Sequence, residues 1–409
     1  MNDRSDSAGF AFAEGGVVAP IGFLAAGVSA GLKSGGKRDV ALVVAEECVP
    51  AAAVFTTNLV AAAPVVVSRA HIASGCARAL VVNAGNANSC TGAQGLVDAR
   101  TMAVAVAEAL ECRSEQVVVA STGVIGVSLP VERVVAAIPE AAAALDNRSG
   151  THAAEAIMTT DTFPKEIAIT FDLNGRRITV GGMAKGSGMI APNMATMIAV
   201  ITTDAPLSPE AVERALRDSV ATTFNRVTVD SDTSTNDTAL LMASGAAGGE
   251  TIEPGTAAYD RVFAAVHTVA GELSRMIARD GEGATKLVTV AVTGAENESD
   301  AEKVAFAVAN SPLVKTALFG GDANWGRVAG AVGRAGARMN PDSLDIDFAG
   351  IRVCRGGCAV GFDEDEAAAA LSGTEVEIAV NLNCGEGRAV VWTCDLTYDY
   401  VRINGDYRS

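Results

Sequence analysis

Thr196 stands near the start of an apolar run in "AKGSGMIAPNMATMIAVITTD" (184–204), just after Pro192 and Asn193. A threonine hydroxyl is a poor nucleophile and needs a base. Histidine, a frequent base, is scarce: His71, His152 and His267 are the only three, and none sits beside a serine or cysteine in a nucleophile motif. A Ser-His-Asp or Cys-His machine therefore has little support. A break in the chain before Thr196 would free its own α-amine. That amine has a pKa of about 8 and is roughly a quarter to a third neutral at about pH 7.5, whereas an unperturbed lysine such as Lys185 is about 0.1% neutral. Ala195 is small, and Gly186 and Gly188 allow a tight backbone. Composition permits the break without establishing it. The competing reading is a β-branched strand residue whose hydroxyl bonds its neighbours.

Other segments also combine glycine with hydroxyl groups. "STGVIG" (121–126) follows an apolar strand, so Thr122 and Gly123 stand at a strand end, where free backbone N–H groups and a hydroxyl can stabilise an oxyanion. An ordinary strand-to-helix turn has the same composition. "MTTDTFPKE" (158–166) and "DSDTSTNDT" (230–238) crowd hydroxyls and carboxylates into short loops, as solvated turns also do. "GLKSGGKR" (31–38) matches G-x-x-x-x-G-K, but Arg38 replaces the Ser/Thr that holds magnesium and no good strand precedes it. It reads as a glycine-rich surface turn. In "GGDANWGR" (320–327), Trp325 and Arg327 are as suited to structural support as to ligand contact.

The elements that must position these loops are legible as apolar runs. Strands are expected at 41–47, 79–85, 116–122, 166–173, 226–232, 286–294, 375–382 and 389–397, and within the run from Met194 to Ile201. Several are near-continuously apolar, as in strands covered on both faces. Helical patterns span 97–111, 131–147 (with Pro139 an interruption), 208–220 behind a Ser208 cap with Pro209 after it, and 257–281. Strands and helices mix without strict alternation, which favours a layered α+β sandwich over a doubly wound parallel sheet. "TGAENESDAEK" (293–303) is acidic and reads as a solvated loop, and a smaller C-terminal α/β unit is expected from about residue 290.

Charge and cysteine content narrow the class. With 31 Lys+Arg against 48 Asp+Glu, the formal net charge is −17. Such a surface repels nucleic acid and anionic membranes, which excludes both as partners, and an anionic substrate needs a local positive pocket. The eight cysteines are scattered; only Cys354 and Cys358 are close, with no histidine near them, so no metal site is expected. The first sixteen residues have no signal-peptide apolar core, and no run is long enough to span a membrane. A reduced, soluble, cytoplasmic protein is expected.

"KGSGMIAPNMATM" (185–197) resembles the self-cleavage signature of the ornithine acetyltransferase (glutamate N-acetyltransferase) family of arginine biosynthesis. "VFTTN", "VVNAGNANSCTG", "STGVIG", "MTTDTFPK", "FNRVTVDSDTSTNDT", "DGEGATK", "NSPLVKTA" and "YVRINGDYRS" are similar to family segments, in family order, from about Val54 to Ser409. One departure is Ala323, where the pattern has proline, a change that bears on loop stiffness. The resemblance implies cleavage between Ala195 and Thr196, an α chain of 1–195 and a β chain of 196–409. Thr196 is then the nucleophile with its own amine as base. Thr122 and Gly123 match the oxyanion-hole pair, and Thr162, Lys185, Thr196, Glu282, Asn404 and Ser409 match substrate-binding positions. It further implies an αββα-type sandwich, a heterotetramer of two α and two β chains, and acetyl transfer from N-acetylornithine to glutamate without metal or cofactor. Acetyl-CoA stays open as a second donor. The alternatives are an amino-terminal-nucleophile amidase or aminopeptidase, and an acetyltransferase of secondary metabolism on the same fold.

Overall fold

A computed structural model describes residues 9–191 and 197–406. Among the described residues, nine strands form one large sheet: β1 (Ala11–Ala13), β2 (Phe23–Val28), β3 (Val40–Phe55), β4 (Cys76–Asn86), β5 (Val117–Val124), β6 (Lys165–Leu173), β7 (Arg176–Lys185), β8 (Ile198–Thr203) and β9 (Thr238–Ala243). Their order is β1-β6-β7-β8-β9-β3-β4-β5, with β2 also against β3. Strand β3 joins two halves. Its first part pairs with β2 and β4 and, after a register shift between Val44 and Val49, Ala51–Phe55 pairs with β9.

The two halves face each other, and alternation along the strands shows why. Ala41, Val43 and Ala45 point into a core shared with Met183, Ile198, Val200, Leu240 and Met242. Val40, Leu42 and Val44 point the other way, onto α1 (Ala63–His71), α2 (Gly92–Ala109) and α3 (Val131–Ala143). On the far side, Ala199 and Ile201 of β8 meet α5 (Pro209–Thr222) and α6 (Ala257–Arg279), while α4 (Gly150–Ile157) packs into the inter-sheet core. The layers are therefore helix, sheet, sheet, helix, and both faces of each half are dry, hence the near-continuous apolar runs. The layered α+β sandwich expected from the sequence is the observed architecture.

A second, six-stranded sheet follows: β10 (Leu287–Ala295), β11 (Asp345–Phe348), β12 (Ile351–Arg355), β13 (Cys358–Ala359), β14 (Glu375–Asn381) and β15 (Gly387–Cys394). With α7 (Glu298–Ala309), α8 (Pro312–Phe319), α9 (Trp325–Gly333) and α10 (Glu364–Leu371) it has its own apolar core. The final helix, α11 (Tyr398–Asp406), returns to the large domain.

Four local expectations are corrected. "RVTVDSD" forms no strand: Val227 and Val229 are buried, but the backbone is satisfied piecemeal, Thr228 N–H on Trp392 O (3.0 Å) and Val229 N–H on Ile190 O (2.8 Å). Pro139 lies inside α3 on its exposed side, where the lost N–H faces water. "TGAENESDAEK" is not a loop: β10 runs into it, and the Asn297 side chain accepts Asp300 N–H (2.9 Å) as the cap of α7, with Glu298 and Asp300 on the favourable end of the helix dipole. Cys48 and Cys76 are joined as a disulfide between neighbouring strands β3 and β4, so not every cysteine is free. The "GLKSGGKR" segment is a loop, as expected; the Asp39 carboxylate accepts N–H bonds from Ala30, Leu32 and Lys33 and holds it. No helix among the described residues is long and apolar enough to cross a membrane.

Candidate active site

Thr122, Gly123, Thr159, Thr160, Lys185, Gly188, Ser234, Asn236, Glu282 and Asn404 line one cavity. Three strand ends of the large sheet and one helix build it. Thr122 and Gly123 end β5, which runs parallel to β4 with Gly123 opposite Gly85. Gly123 has φ +132°, and a Cβ there would lie 2.3 Å from the Gly85 carbonyl carbon, so only glycine lets the two strands approach. The Asn236 side-chain amide donates to Ala87 O (2.6 Å) and Ser121 O (2.9 Å), tying both strand ends to the segment leading into β9.

Lys185 ends β7 and is 2% exposed. Its Nζ donates to Thr159 Oγ1 (2.8 Å) and Thr122 Oγ1 (3.3 Å) and lies 3.9 Å from Asp161 Oδ2. A Thr122 hydroxyl that accepts from an ammonium keeps its own proton to donate to a developing oxyanion. Burial pushes the Lys185 ammonium below its usual value, opposed by Asp161. Burial likewise opposes ionisation of Asp161, yet Lys185 and Lys165 beside it hold that carboxyl well below the usual carboxylate range. Lys165, fully buried, bridges Asp161 Oδ1 (2.7 Å) and Asp280 Oδ2 (2.5 Å). Asp161 also accepts Gly186 N–H (2.7 Å) and Thr159 N–H (2.9 Å), so it ties the loop carrying Thr159 to the chain just after Lys185.

At the other end, Asn404 Nδ2 on α11 donates to Glu282 Oε2 (2.7 Å). Glu282 packs so closely on Gly188 that a Cβ there would lie 2.4 Å from its carboxylate. The Tyr400 hydroxyl reaches Asp230 Oδ2 (3.4 Å), and burial, with Asp230 and Glu282 nearby, pushes its phenol up. One cavity thus holds an ammonium, a carboxylate and a hydroxyl at a strand end.

Five of the residues singled out in the sequence meet here: Thr122, Gly123, Lys185, Glu282 and Asn404. Thr162 is not among the lining residues; its hydroxyl and N–H both donate to Asp280, whereas Thr159 and Thr160 of the same stretch face the cavity. Ala195, Thr196 and Ser409 lie outside the described residues. Met197, the next residue, donates its N–H to Asp237 Oδ1 (3.0 Å) just before β8 begins. Asn236, Ser234 and Thr159 were missed as individuals because their loops read equally well as solvated turns. Among the described residues no cluster of three metal-ligating side chains occurs.

The model of the ArgJ family matches residues 24–409. The arginine biosynthesis bifunctional protein ArgJ of Symbiobacterium thermophilum is 53% identical over 397 residues, 97% of this chain and 99% of that protein. The protein of the same name from Geobacter sulfurreducens is 47% identical over 389 residues, 95% of this chain and 99% of its own. Among solved structures, an ArgJ chain from Bacillus halodurans is 46% identical, with a TM-score of 0.49, and covers 50% of this chain and 97% of that one. A chain of the ornithine acetyltransferase of Mycobacterium tuberculosis, complexed with ornithine, is 42% identical with a TM-score of 0.42, covering 45% and 98%. With a family model matched over nearly the whole chain and relatives near half identity end to end, the chain belongs to the ArgJ family.

Proposed function

We propose that the chain cleaves itself between Ala195 and Thr196 and then transfers the acetyl group of N-acetylornithine to glutamate. The observation that carries this reading is the placement of Lys185, Glu282 and the Thr122–Gly123 strand end in one cavity. An amino-acid substrate presents a carboxylate and an ammonium, which a lysine and a glutamate recognise.

In the first step the Thr196 amine takes the proton of its own hydroxyl, and the oxygen attacks the acetyl carbonyl. The Thr122 hydroxyl and Gly123 N–H receive the oxyanion. The C–N bond then breaks, ornithine leaves with a proton from the amine, and an acetyl-Thr196 ester remains. In the second step the glutamate amine attacks the ester and N-acetylglutamate departs, restoring the hydroxyl. The residues named here supply the whole reaction, with no metal or organic cofactor. Acetyl-CoA enters as a second donor to the same threonine, in keeping with the word bifunctional in the relatives' names.

The mature protein is a cytoplasmic heterotetramer of two 1–195 and two 196–409 chains. Sheet topology supports their staying joined: β8 and β9, from the second fragment, lie between β7 and β3 of the first.

Intact-mass analysis of the purified protein tests the nucleophile: the second fragment is expected to begin at Thr196. Thr196→Ala should stay one chain and lack activity. An active, uncleaved wild type sinks the terminal-amine mechanism. Ornithine release from N-acetylornithine should depend on glutamate. Release indifferent to glutamate, with free acetate accumulating, would make the protein an amidase.

A further inference from the structure

The loop 31–38, which lacks the magnesium-binding hydroxyl of a phosphate loop, walls a second cavity of about 950 Å³. The cavity of Lys185 and Glu282 holds only about 80 Å³. An acetylated amino acid needs little room, whereas sites of about 300–1,000 Å³ take much larger ligands. The two cavities share Thr159 as a wall, and Asp161, which also lines the larger one, lies 3.9 Å from Lys185 Nζ. Gly85, opposite Gly123 in the β4–β5 register, lines the larger cavity as well. It therefore abuts the strand end that carries Thr122 and Gly123.

Its charge is unlike that of the chain as a whole. The protein carries a net −17, yet Lys33, Lys37 and Arg38 line this cavity from one short stretch. The acids facing them are largely engaged: Asp161 by Lys165 Nζ (2.7 Å) and Glu155 by Arg38 Nη1 (2.7 Å), with Glu140 exposed at the wall beside His152. Lys33 Nζ donates to Arg38 O (2.8 Å) and Ala156 O (2.9 Å), so a third ammonium proton is left for a ligand. Burial lowers Lys33 to about 8, with Asp39 and Asp161 opposing, and an anion beside it would favour its charged form. Lys37 is exposed, and a methyl group on Gly36 would touch nothing within 4 Å, so the loop leaves open ground for a bulky anion. Arg38 in place of the Ser/Thr suits phosphates bound without a metal.

Resting on the reading of acetyl-CoA as a second donor, we propose that this cavity is the carrier subsite for that donor. Lys33, Lys37 and Arg38 bind the phosphates of the coenzyme A thioester, and its acyl arm enters past Thr159 toward Lys185 and Thr122. Val28, Leu32 and Met158 supply apolar wall for the arm. N-acetylornithine has no phosphate and makes no use of the subsite.

Lys37→Glu tests this, because Lys37 is exposed and its charge can be reversed without unpacking the loop. The KM for acetyl-CoA in glutamate acetylation should rise about tenfold, while the KM for N-acetylornithine stays within about twofold, as for loss of one charged contact. S-acetylpantetheine, which lacks the phosphates, should serve wild type and variant equally. An unchanged KM for acetyl-CoA overturns the assignment. So does an equal loss with all three donors, since that reports a general effect on the fold. Calorimetric titration of the wild type with coenzyme A separates the subsite from the transfer reaction. Transfer from N-acetylornithine to glutamate without coenzyme A binding, or binding without use of acetyl-CoA, overturns the subsite alone. Use of acetyl-CoA that is weakened in Lys37→Glu, with no transfer from N-acetylornithine, supports the subsite and overturns the ornithine-linked reaction instead.

Discussion

Single atoms in this site do work that depends on their burial. Lys185 is held by two threonine hydroxyls and a carboxylate, so its ammonium orients Thr122. Lys185→Met should fold, yet lose about 100-fold or more in kcat/KM, checked by steady-state assay of ornithine release. Gly123 is constrained more severely. A methyl group there meets the Gly85 and Asn86 backbone at φ +132°, so Gly123→Ala should cost about 3 kcal/mol, read from urea unfolding, and remove activity as well. Asp237 supplies a pH dependence with a definite sign. Its pKa is raised in the fold, so the folded chain keeps a proton that the unfolded chain has lost above about pH 4. Stability due to this group therefore falls as pH rises from the unfolded value toward the folded one. In the uncut Thr196→Ala background, adding Asp237→Asn should raise the melting temperature at pH 7 and do so less at pH 4. An equal effect at both pH values refutes the raised titration.

Elements place these atoms, and their local signals differ in strength. Helix α5 was legible down to its cap: Ser208 Oγ accepts Ala211 N–H at 3.2 Å, with Pro209 in the first turn. Ser208→Ala should lower stability by about 1 kcal/mol and leave kcat unchanged, a pairing that calorimetry and assay check together. Strands β3, β4, β5 and β8 were visible because both of their faces are covered by apolar layers. "RVTVDSD" misled because its alternation is real but its backbone partners belong to two different segments. A pattern of side chains reports burial and says nothing about which backbone is opposite. Asn297 shows the converse, since one capping side chain makes a helix of an acidic stretch that otherwise reads as solvated.

The whole molecule decides how a cut chain survives and how charge reaches the site. Because β8 is hydrogen-bonded to β7 on one side and β9 on the other, the fragments of a cleaved protein share one sheet and one core. They should co-elute under native conditions and part only in denaturant, as size exclusion with mass detection would show. The net charge of −17 opposes anionic glutamate at long range. Its apparent KM should fall as ionic strength rises from about 10 to 150 mM, because the Debye length shrinks from roughly 30 to 8 Å. By itself the sequence determined the layered class, most helices and strands, and the absence of a histidine-based nucleophile motif, and it singled out Thr122, Gly123, Lys185, Glu282 and Asn404, which the fold brings to one cavity, since periodicity and motif order are local properties of the chain. It did not separate Thr159 from Thr162, pair Cys48 with Cys76, or single out Asp237. Those outcomes depend on which distant backbone lies opposite a side chain and on how much water is excluded there, and only the packed sheets and helices set either one.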